Sequence, residues 1–253
     1  MPMQNIAEVI ARLDKIIEQT KAEKSRLGYF AALYKRMTVA VDASIKQSLF
    51  EDGKRMEKLD VIFAQRYIDA YEAYHSGGTC TTSWKFAFDN SLNDDLIVVQ
   101  HILLGVNTHI NLDLAIATAA MADEHGIDTM LKDFTKINDV IATLIDDVQE
   151  CLSQVWLPMR LLEKVVSDRH VPVLNFSIEK ARSASWNSAL ILAGLNEGQK
   201  DFYINQMDMV VLRVCQGIES PGILKRMLLK TIRATEYDDT ARTINLIDTT
   251  IVD

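Results

Sequence analysis

The chain has 253 residues, of which 35 are acidic and 27 are basic, so its formal net charge is −8. That negative charge argues against a nucleic-acid partner, because proteins that bind nucleic acid present a basic surface. The 48% share of apolar residues excludes a disordered chain, and ten glycines with four prolines leave few helix breakers.

Apolar residues recur at spacings of three and four along most of the chain, which is the period of amphipathic helices. Strand-type alternation over six or more residues does not occur. The pattern predicts an all-α fold, a single multi-helix domain over 1–253 in which 236–253 form a polar C-terminal tail on the surface. The predicted helical segments are, in chain order, 6–17, 29–41, 56–75, 96–124, 130–156, a short helix after Pro158, 178–192, 200–217 and 223–232.

The segment 96–122 reads LIVVQHILLGVNTHINLDLAIATAAMA, and its apolar residues lie all around a helical wheel. It is long enough to span a bilayer, but a centrally placed Asp costs about 2.5 to 3.5 kcal/mol on insertion scales. We therefore expect a buried core helix over about 96–124 and no transmembrane segment. Its polar side chains must face one another or a cavity, because an unsatisfied buried polar group costs about 1 to 3 kcal/mol. They are Gln100, His101, Asn107, His109, Asn111 and Asp113.

Helical geometry places three of these side chains on one broad face. His109 and Asp113 are neighbours, since four residues at 100° each return to within 40° of the starting direction. His101 lies two turns earlier, about 80° from His109. Asn107 points nearly opposite unless Gly105 interrupts or kinks the helix, and the sequence leaves that alternative open.

Three interpretations suit this face. In the first, His101, His109 and Asp113 are ligands for zinc or iron, because imidazole and carboxylate supply suitable nitrogen and oxygen donors. In the second, Asp113 fixes the tautomer of His109, which then works as a general base, so that His109 and Asp113 are catalytic. In the third, the polar side chains only satisfy one another and the ends of neighbouring helices.

The motif around His109 resembles an uncharacterised, mainly bacterial family of unknown function with the pattern G-x-N-x-H-I-x-x-D-L. The resemblance covers about 34–192 and implies no activity. The matching residues are Gly105, Asn107, His109, Ile110, Asp113 and Leu114, together with Leu59-Asp60, Phe63-Ala64, Arg66-Tyr67, Trp84, Arg182 and Trp186.

Four residues are further candidates for binding a ligand beside the histidine: Asn107, Arg66, Tyr67 and Trp84. Arg66 and Arg182 could each bind an anionic group of a ligand or instead neutralise Asp60 or Asp113. One hypothesis for the function is a hydrolase that acts on esters or phosphoesters through the His/Asp centre, with or without a metal ion. The alternative is a non-catalytic helical module that binds a ligand or another protein, in which the His/Asp cluster is structural.

Cys80, Cys151 and Cys215 are widely separated and form no CxxC pair, so neither a disulfide framework nor a zinc knuckle is indicated. The first residues are amphipathic and lack the basic and apolar regions of a signal peptide. We therefore expect a cytoplasmic protein with reduced thiols. The partners that the sequence allows are a small or apolar ligand and further copies of the same chain in a homo-oligomer.

Overall fold

α-Helices form the regular structure of residues 2–142 and 178–249, which is the part of the chain that the computed structural model describes, and no strand occurs there. The predicted all-α class is confirmed. The helices are α1 (Ile6–Ala22), α2 (Leu27–Lys46), α3 (Gly53–His75), α4 (Thr82–Asp89), α5 (Val98–Thr108), α6 (Leu114–His125), α7 (131–142), α8 (Ile178–Ala193), α9 (Glu197–Glu219), α10 (Ile223–Arg233) and α11 (Thr240–Asp248).

Side-chain caps set several of the helix starts. Asn5 caps α1 by accepting a hydrogen bond from the backbone N–H of Glu8, and Asp52 caps α3 in the same way. At α9, Asn196 and Gln199 form a reciprocal capping box. This box starts α9 at Glu197, three residues before the predicted start at 200.

The predicted buried helix is present as one helical rod over residues 98–125, which we call the central helix. It consists of α5, a single π turn at His109–Asp113, and α6. α2 and α9 pack on its first half, while α3 and α8 pack on its second half. By length and composition Val98–Ala122 could cross a membrane, yet 78% of its most apolar window is buried inside the molecule, as expected of a core helix.

Gly105 does not break the central helix. A Cβ atom built at this position would lie 2.5 Å from the ring of Phe30 on α2, well inside van der Waals contact. Gly105 therefore allows α2 and α5 to approach each other closely. Gly105 therefore does not kink the helix, and the irregular turn begins four residues later, at His109.

The predicted C-terminal tail is wrong for 240–248. These residues form α11, which packs on α1 and α2 and buries Thr243, Ile244 and Ile247. Ile244 fits against Gly28, where a Cβ would come within 2.5 Å of the isoleucine side chain. The sequence pattern does not show this helix clearly, because charged and hydroxyl residues surround Ile244 and Ile247, which form its apolar face.

Some expectations fall partly outside the described residues. The predicted helix over 130–156 is helical over 131–142, and its remainder, the short helix after Pro158 and Cys151 lie outside the described ranges. Cys80 and Cys215 are free thiols.

Two glycine substitutions test the close contact between α2 and α5. Gly105→Ala should lower the free energy of unfolding by about 1 to 3 kcal/mol, because the new methyl group overpacks the Phe30 ring. Gly217 in α9 faces open space, so Gly217→Ala should instead stabilise by up to about 1 kcal/mol through helix propensity. Urea unfolding followed by circular dichroism measures both, and two changes of the same sign would contradict the assignment.

Candidate functional site

The π turn at His109–Asp113 places the two predicted catalytic residues. The backbone N–H of Leu114 donates to the carbonyl of His109, five residues earlier, which widens the helix for one turn. Turns of this kind inside α-helices are frequent at functional sites. The turn lies in the middle of the central helix, and the side chains of His109 and Asp113 are both buried.

Asp113 is a buried carboxylate with three hydrogen-bond contacts. Its Oδ1 accepts from Nε of Arg66 at 2.9 Å, and its Oδ2 accepts from Nε1 of Trp84 at 2.8 Å. The same Oδ2 lies 2.9 Å from Nδ1 of His109. Since only 1% of the Asp113 side chain is exposed, these partners replace the water that a carboxylate would otherwise require.

The contact with Asp113 determines how His109 is protonated. Nδ1 must carry a hydrogen to donate to the carboxylate, which leaves Nε2 as a lone-pair acceptor in the neutral ring. Burial lowers the pKa of His109 below its ordinary value, and the opposing effect of Asp113 does not cancel it. Nε2 is buried and has no hydrogen-bond partner among residues 2–142 and 178–249.

Aromatic rings hold the imidazole in place. Phe63 stacks on it with ring centroids 3.6 Å apart and planes 9° from parallel. Tyr34 and Phe30 meet it edge-on, with centroids at 4.6 Å and 5.7 Å. The hydrogen bond to Asp113 and these rings together fix the direction in which Nε2 points.

His109 lines a cavity of about 200 Å³, which we call the His109 cavity. Among the described residues, the lining side chains with polar atoms are Tyr34, Thr38, Asp60, His109 and Arg182. The remainder of the described wall is apolar and consists of Phe30, Leu33, Met37, Val41, Met56, Leu59, Phe63, Val106, Ile110, Leu114, Ile137, Ile141 and Ile178.

Asp60 and Tyr34 each contribute a further buried polar atom to this wall. Oδ2 of Asp60 and the hydroxyl of Tyr34 have no hydrogen-bond partner among the described residues. Burial raises the pKa of Asp60 to about 7, with smaller contributions from the charges of Asp42 and Glu57. The carboxyl group therefore carries a proton for much of the time near neutral pH, and it can then donate a hydrogen bond into the cavity.

The other predicted ligand-binding residues lie away from the cavity wall. Arg66 and Trp84 both donate to Asp113, and Tyr67 packs on Trp84 with ring centroids 5.2 Å apart. Arg66 thus neutralises Asp113, which was one of its two predicted roles. None of the three is among the residues that line the His109 cavity.

Asn107 faces a different helix. Its Nδ2 donates to the carbonyl of Val211 and to Sγ of Cys215, both on α9 and both at 3.2 Å. This is the opposite direction that an unbroken helix predicted for it. Asn107 therefore fastens α9 to the central helix and does not reach the His109 cavity.

His101 is also separated from the pair. It packs edge-on against Tyr29, and burial followed by the charges of Arg26 and Arg233 lowers its pKa to about 3. Within 2–142 and 178–249, no group of three or more His, Cys, Asp or Glu side chains is placed to hold a metal ion. The predicted zinc or iron site thus has no supporting ligand set in these residues.

The sequence did not indicate a role at the site for the aromatic residues that hold His109. Phe30, Tyr34 and Phe63 read as ordinary core residues, because their spacing is that of an apolar helix face. The sequence does single out Asp60, because an acidic residue within the apolar stretch LDVIF is rarely buried without a partner or a function. No local pattern indicated that it would share a cavity with His109.

The fold and the site together define an all-α protein with a buried His-Asp pair at the wall of an apolar cavity. A family model described as a family of unknown function, DUF5995, matches residues 6–221. The chain belongs to this family. No curated protein and no solved structure matched the chain.

Proposed function

We propose that this protein binds a small, mainly apolar molecule in the His109 cavity and that His109 accepts a hydrogen bond from it. The proposal rests on Nε2 of His109, which is buried and has no hydrogen-bond partner among the described residues. An acceptor left unsatisfied in the core costs about 1 to 3 kcal/mol, and a donor group on a bound molecule would remove that cost.

The size and chemistry of the cavity support the same class of ligand. An apolar cavity of about 150 Å³ holds a benzene-sized molecule. The His109 cavity, at about 200 Å³, has room for such a ring with one or two substituents. Its wall is mainly apolar, which favours a molecule with few polar groups.

The residues behind His109 support recognition of a hydrogen-bond donor in particular. Asp113, held by Arg66 and Trp84, keeps the hydrogen of the neutral ring on Nδ1. The lone pair on Nε2 is then available, and the ring does not need to rotate to offer it. A ligand hydroxyl fits this acceptor.

Phenol and benzene form a matched pair of probes, since they differ by one hydroxyl group. Wild-type protein should bind phenol about fivefold more tightly than benzene, the equivalent of one hydrogen bond of about 1 kcal/mol. His109→Leu should abolish the preference for phenol, whereas His75→Leu, at an exposed position, should keep it. Titration calorimetry measures all six affinities.

Two results would contradict the proposal. One is equal binding of phenol and benzene by the wild type, which would remove the role of Nε2. The other is binding of neither probe, which would show that the cavity takes no ligand of this class.

Hydrolysis of an ester or phosphoester is a second candidate function, which the His-Asp pair favours. A carboxylate on Nδ1 and a free Nε2 are the arrangement of a general base. No Ser, Thr or Cys of the described residues hydrogen-bonds to Nε2, so the base would act directly on water. The His109 cavity would then hold the apolar part of the substrate.

p-Nitrophenyl hexanoate provides the test for hydrolysis. The wild type and His75→Leu should release p-nitrophenol at the same rate, and His109→Leu should lose at least about a hundredfold, as expected when a general base is removed. A rate that His109→Leu shares with the wild type would exclude His109 as the base.

A further inference from the structure

We infer that the molecule bound in the His109 cavity is an anion, a monocarboxylate whose carboxylate binds Arg182 and whose apolar part carries the hydroxyl that donates to His109. This inference rests on the proposed function, because it requires that the cavity hold a small, mainly apolar molecule. It assigns to Arg182 the first of the two roles that the sequence allowed, binding of an anionic group.

Arg182 is a buried cation at the cavity wall. Only 4% of the residue is exposed, and it lies on α8 among the residues that line the His109 cavity. Its Nε donates to Oδ1 of Asn138 at 2.7 Å, and Nη2 donates to the carbonyl of Phe134. The guanidinium carbon lies 4.4 Å from the centroid of the Phe134 ring.

These contacts with Arg182 come from neutral groups. The remaining nitrogen, Nη1, makes no hydrogen bond to any described residue, and no carboxylate of the described ranges forms an ion pair with the side chain. Arg66 shows the contrast, since its charge is matched by Asp113 at 2.9 Å. Arg182 therefore keeps a buried positive charge that its described neighbours do not neutralise.

An isolated charge in a core is costly, and proteins normally pair it. Burial lowers the pKa of Arg182 to about 10, so the side chain still carries its charge at neutral pH. A bound anion would neutralise it by accepting a hydrogen bond from Nη1, which has no partner among the described residues. This is the energetic reason to assign a negative group to the ligand.

The geometry of the guanidinium and the wall select the kind of anion. A guanidinium binds a planar carboxylate well, often through two parallel hydrogen bonds. Arg182 is the one Lys or Arg among the described residues that line the cavity, and Ile137, Ile141 and Ile178 of the same wall offer no donors. A single carboxylate on a mainly apolar molecule matches one cation in such a wall.

Asp60 lines the same cavity and would repel an anion if it were ionised. Its raised pKa of about 7, caused mainly by burial, leaves it mostly protonated at pH 6. At that pH a simple carboxylic acid is ionised, because an ordinary carboxyl group titrates near pH 4. The interaction of a monocarboxylate with Arg182 is therefore best measured at pH 6.

Hexanoate and hexan-2-one are matched probes of similar size, one anionic and one neutral, and neither offers a hydrogen to His109. Titration calorimetry at pH 6 should give at least about tenfold tighter binding of hexanoate by the wild type, as expected for hydrogen bonds to a charged group. Arg182→Met should weaken hexanoate at least about tenfold and change hexan-2-one less than about twofold. Arg213→Met removes one exposed positive charge from α9 and should change neither affinity.

The outcomes separate this inference from the proposed function. If hexan-2-one binds the wild type as tightly as hexanoate, the anionic ligand is refuted while the cavity remains a binding site. Equal losses of hexanoate binding in Arg182→Met and Arg213→Met would refute it too. If neither probe binds while phenol does, this inference fails and the proposed function stands.

Arg182→Lys provides a second variant should Arg182→Met not fold. It keeps the positive charge but lacks the planar group that binds a carboxylate through two hydrogen bonds, so it should bind hexanoate more weakly than the wild type does. Hexanoate binding equal to that of the wild type would refute the contact with the guanidinium.

Discussion

The buried carboxylate of Asp113 is the interaction on which the centre of this molecule depends. Its donors come from three different elements: Arg66 from α3, Trp84 from α4 and His109 from the π turn. Removing one partner of such a buried charge typically costs about 3 to 5 kcal/mol, because the other is left without compensation. The network thus fastens α3 and α4 to the central helix and, through the same hydrogen bonds, fixes the protonation of His109.

Three polar residues of the central helix hold α9 in place. Asn107 and Thr108 face α9, where both contact the thiol of Cys215. Gln100 donates to backbone carbonyls near the end of α9.

His109 differs because Nδ1 completes the Asp113 network, whereas Nε2 has no hydrogen-bond partner among the described residues and the ring lines the His109 cavity. Nε2 of His101 and Oγ1 of Thr118 also have no such partner, but neither residue lines that cavity. A structural role accounts for Nδ1 of His109 and leaves Nε2 unexplained.

The sequence predicted those parts of the site that lie on one helix. A spacing of four residues brings His109 and Asp113 together, and the all-round apolar pattern places them in the core. Arg182 lies 73 positions after His109 and Asp60 lies 49 before it, and no local rule states that α3 and α8 line one cavity. The π turn was also beyond prediction, because no breaker residue marks it in the sequence. The missed helix α11 shows the same limit, since burial of Ile244 depends on a gap at Gly28 some 216 positions earlier.

The tautomer and titration of His109 show whether Nε2 is a hydrogen-bond acceptor in the folded protein. Nitrogen-15 NMR of the imidazole, assigned by the loss of its signals in His109→Leu, reports which nitrogen carries hydrogen. We expect hydrogen on Nδ1 and a lone pair on Nε2 at pH 7. We also expect a midpoint of protonation below the ordinary value of 6.5, because burial disfavours the charged ring. A ring with hydrogen on Nε2, or an imidazolium at pH 7, would contradict it, since neither form leaves an acceptor facing the cavity.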